Sequence, residues 1–192
     1  MSKLLDRSIG AVSVLMQIAF VVVCFSFITP FVYLYNGFTH ANIMEMIADN
    51  GDFLIVPGHT QVAHSAVAHF PILPYSILMA IGIFLAILAT LFAFSAFIRI
   101  SHNLGKKQYF VADNLAMLRR IVHAQMIAIC SDVFLAIGNQ MTQSLLGRVN
   151  NGIFNSTWEN LLDDAVMLVF IALIYTLFRM AMNIKQENDL TV

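Results

Sequence analysis

Two long stretches of this chain carry no charged side chain. No Lys, Arg, Asp or Glu stands between Arg7 and Glu45, and none from Phe53 to Ile98. A soluble domain cannot supply such runs, because about 25% of its residues are charged. Here 11% are charged and 59% are hydrophobic, with a mean hydropathy of +0.80. The chain is therefore an integral membrane protein. A helix needs about 20 apolar residues to cross a bilayer, and four segments meet that need: about 9–35, 74–98, 121–146 and 165–182. Pro74 suits the first turn of the second span, and Asp132 interrupts the third. The first segment begins with Lys3 and Arg7, as a secretory leader does. It is too long for one, and no small-x-small cleavage site follows, so it is expected to stay as an anchor. Cys24 and Cys130 both fall in apolar runs and read as small buried hydrophobes rather than a disulfide. A net charge of -1 gives no global reason to expect direct nucleic acid binding.

Basic residues set the expected orientation. Lys3 and Arg7 precede the first span, Arg99, Lys106, Lys107, Arg119 and Arg120 lie between the second and third, and Arg179 and Lys185 end the fourth. The other two connections hold only Arg148. By the positive-inside rule, both termini and the 99–120 loop are cytoplasmic. The expected fold is an all-α integral membrane domain over 1–192 with four transmembrane helices, N-in and C-in. Outer loops cover 36–73 and 147–164, and the cytoplasmic tail covers 183–192.

The first outer loop is long enough to fold. "FTHANIMEMIADNG" reads as a short helix, with Thr39 able to cap its start and Gly51 to end it. "FLIV" and "TQVAHSAV" flank Pro57-Gly58, a turn signal for a small hairpin. The second outer loop contains Asn151-Gly152, another hairpin signal, so both loops can build a small β-patch. Asn155-Ser156-Thr157 matches a glycosylation sequon, which matters only in a eukaryotic secretory pathway. His59, His64 and His69, with His40 nearby, are weak metal candidates: a spacing of five scatters them around a strand or helix, and no Cys or HExxH motif accompanies them.

Gln125, Asp132, Asn139 and Gln143 fall on one face of the third span, separated by seven, seven and four residues. A buried carboxylate at a span centre costs about 2.5–3.5 kcal/mol on insertion scales. Three readings stand: an ion or proton site, interhelical polar glue with Gln17 or Tyr175, or a helix that begins deep in the cytoplasm and leaves Asp132 shallow. In the second span Ala86, Ala89, Thr90, Ala93 and Ala96 form a small-residue seam, suited to a compact bundle or a homodimer.

The middle loop reads "RISHNLGKKQYFVADNLAMLRRIVHAQM". Gly105 breaks the second helix, and Asp113 or Asn114 can cap a new one. Leu115, Leu118 and Val122 then share a face opposite Ala116, Arg119, Arg120 and His123. This predicts a short cytoplasmic amphipathic helix, either resting on anionic headgroups or docking a cytoplasmic protein.

"GKKQYFVADNLAMLRRI" resembles the Gly…Phe-Thr-x-Glu-Asn-x-x-x-Leu-Arg-x-Ile pattern of a bacterial membrane family known as DUF2975. The matching residues are Gly105, Phe110, Asn114, Leu118, Arg119 or Arg120, and Ile121. Asp113 stands at the family's Glu, and Val111 replaces its Thr. The ending "IKQENDLTV" is similar to the family's C-terminal signature at Glu187, Asn188, Asp189, Leu190, Thr191 and Val192. The resemblance implies a protein of the bacterial cytoplasmic (inner) membrane that partners a small helix-turn-helix regulator. It extends to nearly the whole chain, the longer histidine-bearing loop excepted.

Three functions are then in view. The leading expectation is a small regulator or sensor whose middle loop and tail act on a helix-turn-helix partner. An extended Leu-Thr-Val end could add to a sheet edge or present its carboxylate to a pocket. The alternative is an ion- or proton-coupled transporter or channel subunit using Asp132, and behind it a structural subunit of a membrane assembly. An enzyme is the weakest reading, because Asp132 has no catalytic mate at its depth and no Gly-rich phosphate loop exists. No cofactor is expected.

Overall fold

The computed structural model describes residues 3–39, 53–56 and 69–190. Its elements are α1 (Lys3–Phe25), α2 (Ile28–Thr39), β1 (Phe53–Ile55), α3 (Ile72–Gly105), α4 (Ala112–Leu146), β2 (Arg148–Asn150) and α5 (Trp158–Leu190). Four helical stretches are long and apolar enough to cross a membrane: Gly10–Thr39, Ile72–Gly105, Ala112–Leu146 and Trp158–Asn188. This is the expected four-helix membrane fold, with helices that run past the apolar segments. The first stretch breaks at Ser26 and Phe27. Pro30 has no N–H to donate to the Ser26 carbonyl, and its ring crowds that carbonyl. Ser26 N–H turns instead to Val23 O at 3.0 Å.

The chain falls into two compact units. One comprises Met1–Ser26, Ile87–Ala128 and Asp164–Val192; the other comprises Phe27–Ala86 and Ile129–Asp163. The core of the second unit lies on α3 and α4. Tyr75, Met79 and Ile83, spaced by four, put one face of α3 inward, and Ser131, Leu135 and Thr142 of α4 are buried as well. The two helices approach closely at Gly82. Its carbonyl accepts a 2.8 Å hydrogen bond from Ser131 Oγ, and a Cβ there would sit 2.7 Å from Leu135 Cγ. In the first unit the small-residue seam buries Ala89 and Ala96. In contrast, α1 and α5 expose large apolar side chains such as Leu15, Phe25, Val169 and Phe170, the surface a bilayer covers. Cys24 and Cys130 are free and exposed, contrary to the burial expected of them. They sit on outward faces of their helices, where lipid can accept an apolar thiol.

The β-patch joins the two loops. Phe53, Leu54 and Ile55 pair antiparallel with Asn150, Val149 and Arg148. Gly147, at φ 60°, ends α4 in a left-handed cap: its N–H reaches Gln143 O at 3.1 Å, and its carbonyl accepts Val56 N–H at 3.0 Å. The loop helix expected beyond Thr39, the "TQVAHSAV" strand with its Pro57-Gly58 turn, and His40, His59 and His64 lie outside the described residues. Thr39 closes α2, donating to Tyr35 O. His69 is exposed. Asn151-Gly152 does turn the chain, through Gly152 N–H to Asn150 Oδ1 at 2.9 Å, while β2 pairs with the distant β1.

Two further expectations are corrected. No separate amphipathic helix precedes the third span: Ala112–Leu146 is one continuous helix, because residues 115–123 carry helix formers and no breaker. The tail is helical as far as Leu190, where α5 ends; Thr191 and Val192, the rest of the expected extended end, lie outside the described residues. Helix α5 also starts at Trp158, ahead of the apolar run. Thr157 caps it, and Asn160 Oδ1 accepts from both the Thr157 N–H (3.1 Å) and its hydroxyl (2.6 Å), one half of a capping box.

Candidate functional site

The polar face of α4 meets non-helical backbone. In the second unit, Asn139 Nδ2 donates to Phe154 O and Ser156 O, both at 2.9 Å, and its Oδ1 accepts Asn150 Nδ2 at 3.2 Å. Asn150 Nδ2 also reaches Phe154 O at 3.2 Å. Asp132 Oδ1 accepts the Ser156 hydroxyl at 2.8 Å. Asp132, Asn139 and Asn150 are all buried, at 9%, 8% and 7% exposure. A segment without helical hydrogen bonds leaves carbonyls that an apolar setting cannot satisfy. Asn139 and Asn150 supply the missing donors, and Asp132 holds the Ser156 side chain.

Ser156, which was not among the expected partners Gln17 and Tyr175, is a hydrogen-bond partner of Asp132. Gln143 is exposed, and its contribution is the carbonyl that closes the helix. Gln125 belongs to the first unit, where its Nε2 reaches Asp164 O in α5 at 3.2 Å. Asn150 and Ser156 went unrecognised because turn and loop residues carry no periodicity.

The α3–α4 turn of the first unit holds a second polar cluster. Gln108 N–H bonds Asn103 O at 2.9 Å and Lys107 N–H bonds Leu104 O at 2.9 Å, which is the Schellman pattern. Its left-handed residue is Lys107, at φ 60°, and not Gly105, which lies within α3. Val111 occupies the N-cap of α4, with its carbonyl accepting Asn114 N–H at 3.1 Å. Asp113 and Asn114 bind backwards rather than cap. Asp113 Oδ2 accepts Arg99 Nε at 2.9 Å and Asn103 Nδ2 at 2.7 Å. Asn114 Oδ1 accepts Asn103 Nδ2 at 2.7 Å, and its Nδ2 donates to Gln108 O and Tyr109 O. Asn103, buried and central, was not anticipated.

The other interaction residues divide into two groups. Arg120 lies over the Phe92 ring, 4.9 Å from its centroid, so its cation already has an aromatic partner, while Arg119 is exposed. Phe110 stacks on Phe178 at 5.6 Å. Beside it, Ala181, Ile184, Lys185 and Asn188 of α5 complete a groove of about 380 Å³. Glu187 and Asn188 are exposed on that helix end. No group of three or more His, Cys, Asp or Glu suited to a metal occurs among the described residues.

A family model described as a protein of unknown function, DUF2975, matches residues 58–192. The chain belongs to the DUF2975 family. No curated protein and no solved structure matches it. The matched region of this DUF2975 protein takes in α3, α4, β2 and α5, and so both polar clusters and the groove. Helices α1 and α2 precede it.

Proposed function

We propose that this DUF2975 protein is a small regulator or sensor of the bacterial cytoplasmic membrane that presents the end of α5 to a cytoplasmic partner. The supporting observation is the continuation of α5 as a helix to Leu190, beside Phe110, with an open groove along Ala181, Ile184 and Asn188. An exposed helix end with one apolar side fits helix-on-helix recognition. The family resemblance points to a small helix-turn-helix regulator as the partner. The distribution of charge supports the orientation: nine of the ten basic residues belong to the unit containing both termini and the α3–α4 turn.

The transport reading rests on Asp132. Pairing of that carboxylate with Ser156, beside the Asn139 contacts to Phe154 and Ser156, favours a packing role for it. No catalytic role is proposed for any residue. The test is in-cell crosslinking and capture of the full-length protein, alongside Ile184→Glu and a version lacking Asp189 to Val192. A small helix-turn-helix protein captured by the intact chain and lost from both variants is the expected result. Equal capture by all three would sink the reading.

A further inference from the structure

The α3–α4 turn encloses a pocket of about 330 Å³ lined by Arg99, His102, Asn103, Lys106 and Asp113, among others. It is separate from the α5 groove and independent of the partner proposed for it. We infer that this pocket binds the phosphoryl group of an anionic lipid headgroup.

The first argument is geometric. Arg99 spends its Nε on Asp113, at 2.9 Å, and Asn103 holds the same carboxylate oxygen at 2.7 Å. This fixes the plane of the guanidinium and leaves its two terminal nitrogens for a second oxyanion, the fork geometry that suits a phosphoryl group. Asn103 is itself held: it is buried at 6% exposure and also donates to Asn114 Oδ1. The receptor side is therefore ordered before any ligand arrives, which lowers the entropy lost on binding.

Charge is the second argument. Asp113 is the acid among these lining residues, and Arg99 offsets it. Lys106, in the same wall, then leaves the pocket with a surplus positive charge. The Arg99 side chain is 61% exposed, so a headgroup can reach it.

The third argument is depth, which selects lipid over a soluble phosphate. Arg99 is the first charged residue after the charge-free run that ends at Ile98. A basic pocket at the point where an apolar helix ends lies at headgroup level. Basic pockets between transmembrane helices on the cytoplasmic side are the usual sites for anionic lipid.

The experiment uses the full-length protein in nanodiscs of phosphatidylcholine with and without phosphatidylglycerol, with retained lipids counted by native mass spectrometry. Selective retention of phosphatidylglycerol is expected. Lys106→Gln leaves the Arg99–Asp113 pair intact and should weaken that retention about tenfold, the loss of one direct charge-assisted hydrogen bond. Arg179→Gln, an exposed charge outside the pocket, should leave it unchanged. Equal retention of the two lipids overturns the proposal, as does an equal loss from Arg179→Gln, which would mean diffuse attraction. A second arm measures thermal unfolding in detergent with sodium phosphate against sodium chloride at matched ionic strength. No phosphate-specific shift is expected. A shift abolished by Lys106→Gln would keep the oxyanion site and overturn lipid as its occupant.

Discussion

The two units of this molecule use polar residues in opposite ways. In the unit containing β1 and β2, Asp132 and Asn139 of α4 are buried, with Asn139 on the Phe154 and Ser156 carbonyls and Asp132 on the Ser156 hydroxyl. In the unit containing the α3–α4 turn, they form an ion pair and amide contacts between helix ends, with Arg99 largely in the open. Charge follows the same division. The unit containing β1 and β2 has one basic and six acidic residues, and the unit containing the α3–α4 turn has nine basic and five acidic. A polar residue in a membrane helix therefore needs to be read with its neighbour in mind. Beside irregular backbone it satisfies the chain itself, and at a helix end it remains available to something else.

The largest expected effect tests the buried side of this contrast. Asn139→Leu removes three hydrogen bonds, worth about 0.6 kcal/mol each on membrane averages, and leaves the Ser156 carbonyl short of a donor, while Phe154 O keeps Asn150 Nδ2. A loss of roughly 2–3 kcal/mol is expected in reversible unfolding in mixed micelles. A change under about 0.5 kcal/mol would mean the 154–156 segment does not depend on it. Gly82→Ala should cost about 1–3 kcal/mol by overpacking against Leu135, whose backbone N lies 3.2 Å from the new Cβ. The same assay reads it.

Smaller effects test the exposed side first and then Asp132 on the buried one. Lys107→Gly should stabilise by about 1 kcal/mol, since a left-handed residue with a Cβ carries a penalty of roughly that size. A loss of stability instead would show that the Lys107 side chain supports the turn. Val111→Thr places a hydroxyl at the α4 N-cap and should add about 0.5–1 kcal/mol. Asp132→Asn keeps an oxygen able to accept the Ser156 hydroxyl and should shift stability by less than about 1 kcal/mol. Ion-coupled flux by the unaltered protein in proteoliposomes, abolished by this substitution, would restore the transport reading.

The spans were legible because charge is excluded from lipid along a whole segment, a signal that needs no partner. The α4 stripe was legible because 125, 132 and 139 repeat by seven. What it touches was not, because Ser156 and Asn150 sit in a loop and turn where no period links them to α4. The continuous α4 looked like two helices because a juxtamembrane amphipathic segment and the first turns of a longer helix share one Leu/Arg pattern. The start of α5 was hidden by Glu159, Asp163 and Asp164, which read as loop. The Thr157-x-x-Asn160 cap was the available sign of it. Lys107 had no sequence signal, since left-handed residues are ordinarily sought at glycine.

The pairing of β1 with β2 sets a clock on synthesis. Phe53 is made long before Asn150, its partner in register. At about 5–20 residues per second, the first strand waits roughly 5–20 s on the ribosome for its mate. During that time α3 and α4 must both be delivered to the membrane, and only then can the two loops be stitched together. A protein that slows insertion of α4 would leave that strand unpaired, so the stitch reports that three of the four spans have arrived.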